Sequence, residues 1–281
     1  MDYKSFSDQL VELIFDNCSD HDKIIKFKDL KSQVVQSKKH SRHISKLVEI
    51  LKDQHNLKIL DHGCGACVTL IYLFCLGYEN IWGIDISCDE KTINNFLKNV
   101  CDISENRIFN YDGKTLPFKE NSFDLIISQQ VLEHVKYDQK KIMIKEQSRV
   151  LKSGALAYFQ IPHLFVPYEA HTKSWLIHLF PRLIAKKLYK VLNKNHNFFE
   201  KHLFLSSPFF YKNSIRNYIG PIKDMSVERI SKFDNEFLEL KGLSLYIRLF
   251  VVKVCSFPFF GKYIAIILSN FIMLEILARN R

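Results

Sequence analysis

Three aspartates stand where apolar stretches give way to turns. Leu57–Leu60 leads into Asp61-His62-Gly63-Cys64-Gly65, Ile81–Ile84 into Asp85-Ile86, and Arg107–Tyr111 into Asp112-Gly113. A carboxylate at a strand end, followed by glycines that let the backbone approach a ligand, suits a cationic partner better than a pyrophosphate. The dinucleotide fingerprint Gly-x-Gly-x-x-Gly fails, because Val68 stands at its last position. Asp85 is placed to accept both hydroxyls of a ribose, as an acid about 20 residues on does in nucleotide-binding folds. Its other reading is a helix N-cap. Asp112 is placed to accept from an adenine amino group, or else belongs to an ordinary Asp-Gly turn.

A second set lies further along. In Pro162-His163-Leu164-Phe165-Val166-Pro167-Tyr168-Glu169-Ala170-His171, Glu169 could orient the imidazole of His171 to take a proton from a hydroxyl acceptor. The pair could equally tie this segment down. His163 is a weaker candidate of the same kind. Glu133-His134 offers a direct role for His134 or a structural one at the start of the next helix. Cys64-x-x-Cys67 is followed by no second Cys or His pair at zinc spacing, so no metal site is expected.

These residues need a frame. Residues 1–53 read as helical. After them come strands over Leu57–Asp61, Ile81–Ile86, Arg107–Tyr111, Phe123–Ser128 and Ala155–Ile161, with helices over Val68–Leu76, Glu90–Val100 and around Lys141–Val150. The alternation predicts an α/β fold with a doubly wound, mostly parallel sheet. In such sheets the ligand sits beyond the carboxyl ends of the strands, where the loops after Asp61, Asp85, Tyr111 and Ser128 belong. Residues 162–220 break the rhythm and read as inserted helices. Asn270–Ala278 reads as a closing strand.

In order, Ile-Leu-Asp-His-Gly-Cys-Gly (59–65), Gly-Ile-Asp (83–85), Asp-Gly (112–113), Leu-Pro-Phe (116–118), Phe-Asp-Leu-Ile-Ile-Ser (123–128), Val-Leu-Glu-His-Val (131–135) and Arg-Val-Leu-Lys-Ser-Gly-Ala (149–155) together resemble class I S-adenosylmethionine-dependent methyltransferases. The likeness is to the type 11 group around the ubiquinone-biosynthesis enzymes and covers about residues 55–163. It implies a seven-stranded Rossmann-like methyltransferase sheet with an inserted helical cap. It also implies S-adenosyl-L-methionine as cofactor: Asp61 with Gly63, Cys64 and Gly65 at the methionine end, Asp85 with Ile86 at the ribose, Asp112 with Gly113 at the adenine, and Gln129 near the methyl. One position departs, since Cys67 stands where the family often has a third glycine. The expected organisation is a helical extension over 1–54, a cofactor core over 55–163, a cap over 164–220 and a sheet-completing segment over 221–281. The insert, with its later Leu179-Phe180-Pro181, is similar to a subgroup often implicated in surface-glycan biosynthesis.

Composition narrows the partners. The chain has 281 residues, 47% hydrophobic and 25% charged, in the range of folded globular proteins rather than disordered ones. The 7 cysteines, an odd number without a secretory leader, fit a reducing compartment, so a cytoplasmic enzyme is expected. Tyr263–Leu274 is shorter than the roughly 18 apolar residues a membrane span requires. Residues 1–150 carry 21 Lys and Arg against 22 Asp and Glu, whereas residues 151–281 carry 19 against 8. That basic half suits a phosphate-bearing acceptor, a peripheral membrane contact or RNA. The favoured expectation is O-methylation of a small-molecule, sugar or lipid-linked glycan acceptor. RNA methylation and an inactive scaffold, the latter supported by Cys67, are the alternatives.

Overall fold

The structure is a computed structural model and describes residues 3–37, 40–232 and 243–281. The chain divides into two compact units, Met1–Ile127 and Ser128–Arg281.

The first unit opens with three amphipathic helices. Apolar residues three and four apart give each a single buried stripe. Helix α1 (Tyr3–Phe15) buries Phe6, Leu10, Leu13 and Ile14. Helix α2 (Asp20–Gln36) buries Phe27, Leu30 and Val34, and the Ser19 hydroxyl caps it by accepting from the Asp22 amide. Helix α3 (Arg42–Leu51) buries Ile44, Leu47 and Leu51. The α/β alternation follows: β1 (Ile59–His62), α4 (Val68–Cys75), β2 (Ile81–Asp85), α5 (Glu90–Asn99), β3 (Ile108–Asn110) and β4 (Phe123–Gln129). β1 pairs in parallel with β2 and with β4, and β2 with β3. α4 and β1 are buried almost throughout, as expected for parallel strands and helices inside a layered fold.

The second unit continues with α6 (Lys140–Val150) and β5 (Leu151–Ile161). β5 begins at the residue after the last of α6, earlier than the expected Ala155. The insert is not wholly helical. It opens with a small antiparallel ribbon, β6 (Tyr168–Glu169) against β7 (Ser174–Trp175), and a 3₁₀ turn (Ile177–Leu179). The ribbon's turn is held by the Glu169 carboxylate, which accepts from both the amide and the hydroxyl of Thr172 at 2.6 Å. Helices α7 (Arg182–Val191), α8 (His196–His202) and α9 (Pro208–Tyr218) follow, as expected. Arg182 ties two of them together. Its guanidinium donates to the carbonyls of Phe199, Glu200 and Leu203, at the end of α8 where carbonyls lack helical partners.

The remainder comprises β8 (Ile222–Asp224), α10 (Ser226–Ser231), α11 (Leu243–Cys255), α12 (Gly261–Ser269) and β9 (Leu274–Arg279). The closing strand starts later than Asn270, because the Asn270 side chain is spent on the Ile266 carbonyl at the end of α12. β9 is antiparallel to both β5 and β8. The completed sheet has seven strands in the order β3-β2-β1-β4-β5-β9-β8. It is the α/β, mostly parallel architecture expected. No helix among the described residues is long and apolar enough to cross a membrane.

Candidate functional site

In the first unit the loop after β1 is pinned to β2. The amides of Gly63 and Cys64 both donate to the Ile84 carbonyl, at 2.7 and 3.2 Å. Gly65 donates its amide to Asp85 Oδ2 at 3.0 Å, and Ser87 donates to Oδ1 at 3.1 Å. Each Asp85 oxygen thus has one backbone donor and a lone pair left for a ligand. The N-cap of α5 is Asp89, not Asp85.

Gly83 lets the loop sit this close, since a Cβ there would meet Cys64 Sγ at 2.9 Å. Above Gly65, at φ +50°, the space is open. Cys67, at the family's glycine position, takes the left-handed conformation (φ 61°) that glycine adopts without strain. Its side chain is fully buried, and nothing lies within 4 Å of where a Cβ on Gly65 would be.

Asp61 is buried, and burial, reinforced by the charge of Asp85, pushes its carboxyl up to about 7. The Ile86 side chain is 66% exposed and lies 3.4 Å from where a Cβ on Gly113 would be. Asp112 accepts from the amides of Thr115 and Lys114, which hold its carboxyl below the usual range. The turn role therefore exists beside any ligand role. A buried carboxyl, a second carboxylate with lone pairs left over and an exposed apolar face beside a glycine form a set that fits a cationic amino acid joined to a nucleoside.

In the second unit, Glu133 and His134 sit in a turn and not at a helix start; α6 begins only at Lys140. Insert residues run against this turn, with Phe204 donating its amide to the Glu133 carbonyl at 2.7 Å. His134 Nδ1 donates to the His202 carbonyl at 2.7 Å. His171 Nδ1 donates to Glu169 Oε1, also at 2.7 Å. The two imidazoles meet edge to face with centroids 4.9 Å apart, and Phe198 stacks on His171 at 5.1 Å. Burial alone would raise Glu169, but hydrogen bonds from His171 and Thr172 outweigh it and bring the carboxyl to about 2. The same Glu169 contact raises His171, whereas burial lowers His134. Glu133 is completely buried, and burial pushes its carboxyl up to about 8. Glu169 and His171 line a cavity of about 180 Å³ together with Gln130, His163, Tyr168 and Met273.

Residues 60–159 match the family model for a methyltransferase domain. This part of the chain is a methyltransferase domain, and the sheet that carries it has the class I methyltransferase fold. An uncharacterized protein of Methanocaldococcus jannaschii, MJ0638, is 27% identical over 204 residues, covering 69% of this methyltransferase and 82% of that protein. The YcgJ protein of Bacillus subtilis has a similar fold, with a TM-score of 0.50 and 15% identity over 86% of this chain and 99% of its own. Geranyl diphosphate C-methyltransferase of Streptomyces coelicolor, solved with Mg²⁺, geranyl diphosphate and S-adenosyl-L-homocysteine, is 13% identical with a TM-score of 0.48, over 90% of this chain and 84% of that one. S-adenosylmethionine is the methyl donor that a methyltransferase domain of this kind implies.

Two expected site residues have other occupations in this methyltransferase. Gln129 donates to Gln160 Oε1 at 3.3 Å, in a chain that runs on through the Tyr158 hydroxyl to Glu275. His163 uses both ring nitrogens, one on the Ile272 carbonyl and one accepting from the Phe165 amide, and burial pushes it down to about 4. Lys140 was not anticipated as part of the site. Its ammonium is fully buried and donates to the Phe204 carbonyl, to Ser206 Oγ at 3.0 Å and to the Tyr211 hydroxyl at 2.8 Å. It thereby fastens residues 204–211 to α6. A lysine in an amphipathic helix ordinarily reads as solvated, and nothing local in the sequence distinguishes this one.

Proposed function

We propose that this methyltransferase transfers its methyl group to a hydroxyl of a sugar or lipid-linked glycan. The observation that carries this reading is the Glu169–His171 pair on the wall of the second unit's cavity. S-adenosylmethionine supplies, when bound, a methyl on a sulfonium. Asp61 would face the cationic methionine end with Gly63, Cys64 and Gly65 closing on it. Asp85 would accept the ribose hydroxyls, and Ile86, Asp112 and Gly113 would flank the adenine. His171 donates from Nδ1 to Glu169, so Nε2 is left to accept the hydroxyl proton as the oxygen–methyl bond forms. Glu169 then stabilises the imidazolium, and His134 packs the ring in place.

Exposed apolar side chains support a carrier lipid. The segment joining α11 and α12 presents Phe257, Phe259 (88% exposed) and Phe260, beside Tyr263. Lys253 and Lys262 flank it. On α7, Leu183 and Val191 are exposed among Lys186, Lys187 and Lys190, while Ala185 and Tyr189 face inward. Such surfaces suit peripheral contact with an anionic bilayer, aromatic groups entering the headgroup region and lysines meeting lipid charge.

The test is transfer of labelled methyl from S-adenosylmethionine to free sugars, lipid-linked sugars and RNA, with product mapping. Label on a sugar oxygen, lost in His171→Ala, supports the reading. Label on a nitrogen or on RNA overturns it. Co-sedimentation with anionic vesicles, lost in Phe259→Ser/Phe260→Ser, tests the membrane contact; equal partitioning of both proteins would rule it out.

A further inference from the structure

We infer that Glu133, His134 and His171 form a binding site for a divalent transition-metal ion. Each contributes one ligand-type atom, and these atoms all lie within 4.8 Å of one another. Atoms bonded to one ion at about 2.0–2.2 Å stand roughly 3–4.4 Å apart, so only a small closure is required.

The second observation is independent of that clustering. Glu133 is 0% exposed, and neither of its carboxylate oxygens has a hydrogen-bond partner. Its own backbone amide is the one main-chain donor that acts on the carboxylate, and burial outweighs it. His134 Nε2 is 3.8 Å from Glu133 Oε1, too far for a hydrogen bond but suitable for two ligands of one ion. The buried ammonium of Lys140 is not its partner either, because it donates to Phe204, Ser206 and Tyr211. Buried carboxylates in folded proteins are paired, hydrogen-bonded or bound to metal; here no side chain hydrogen-bonds the carboxylate, and its ion-pair contact is with His134, another member of the same cluster.

The imidazoles are prepared for the third. Each has its Nδ1 donating to a fixed acceptor, the His202 carbonyl for His134 and the Glu169 carboxylate for His171. This leaves Nε2 of each ring as the nitrogen open to an ion, the outer-shell pattern that orients histidine ligands at metal sites. Phe198 packs against both rings and restrains them. Two imidazoles and one carboxylate favour zinc, manganese or iron over calcium or magnesium, and three protein ligands leave positions open.

What occupies those positions rests on the O-methylation reading above. An acceptor hydroxyl bound there would become acidic enough to give up its proton to solvent. His171 Nε2, spent on the ion, would then no longer be the base, and Glu169 would serve as a positioning residue.

The test needs no acceptor. Metal-free protein is titrated with Zn²⁺ by calorimetry and with Co²⁺ by visible absorption, alongside Glu133→Gln, His171→Ala, Glu169→Gln and the control His55→Ala, whose side chain is exposed in the other unit. One equivalent should bind, with cobalt showing ligand-field bands. Affinity should fall about 100-fold or more in Glu133→Gln and His171→Ala, about 10-fold in Glu169→Gln, and not at all in His55→Ala. Glu133→Gln keeps the side chain's shape and carries the result if His171→Ala does not fold. Absence of saturable binding, or binding that survives both ligand substitutions, overturns the site. Methyl transfer that persists in chelator yet needs His171 would retain the base and remove the metal. Metal binding without sugar methylation would retain the site and remove the proposed acceptor.

Discussion

In Met1–Ile127 the groups proposed to hold the cofactor lie within a few residues of strand ends, and backbone amides make their mutual contacts: Gly63 and Cys64 on the Ile84 carbonyl, Gly65 on the Asp85 carboxylate. In Ser128–Arg281 the corresponding cluster draws Glu133 and His134 from one turn and His171 from a ribbon within the insert, and side chains make the junctions. The first arrangement follows once parallel strands pair in register. The second exists only after the insert has packed, and Lys140, Arg182 and Phe198 are what pack it. A site carried on strand ends can stay the same while the acceptor end changes.

The difference can be sharpened by substitution. His171→Ala should lower methyl transfer about 10²- to 10⁴-fold, with cofactor affinity measured by calorimetry unchanged. A matching loss of cofactor affinity would erase the distinction between the units. Asp85→Ala should weaken S-adenosylmethionine binding about 100-fold, near 2.7 kcal/mol, while Co²⁺ binding stays as it was. It removes both the proposed ribose acceptor and the anchor of the Gly65 amide. Lys140→Met should cost about 2 kcal/mol of stability, because the Phe204 carbonyl and its hydroxyl neighbours lose a buried donor; chemical denaturation reads it. The smallest effect is that of pH. Asp61, raised to about 7 from an ordinary 3.8, is protonated below about pH 7 in the free protein. A cation that needs the carboxylate must expel that proton, so cofactor affinity should fall up to about tenfold per unit below pH 7 and level off above it. For the free protein the sign runs the other way: the group's contribution to stability is complete below pH 3.8 and lost as pH rises through about 7. Asp61→Asn should flatten the binding profile.

Legibility followed the same division. The strand-to-glycine junctions at Asp61 and Asp85 can be read because their spacing is local and few folds tolerate it. The exposed Ile86 beside Gly113 is consistent with the adenine assignment, although apolar exposure itself cannot be seen in a sequence. The pairing of Glu169 with His171 is also local and was anticipated. That Glu133 and His134 join them was not, since metal spacing along the chain pointed only to Cys64 and Cys67. The ribbon at 168–175 reads as helix because its turn depends on hydrogen bonds from Thr172 to Glu169, which periodicity does not register.

The register of the last strand pair reaches further than closure of the sheet. Ile161 stands directly opposite Leu274, and Asp224 opposite Ile276, so β5 and β8 leave the sheet at the same edge where β9 enters it. The insert from β6 to α9, and the later stretch that carries the aromatic segment between α11 and α12, both start from that edge. Doubling the length of a flexible loop costs only about 0.6 kcal/mol in closure entropy. Lineages could therefore lengthen, shorten or exchange this region, and with it the choice of substrate, almost without penalty to the fold that carries it.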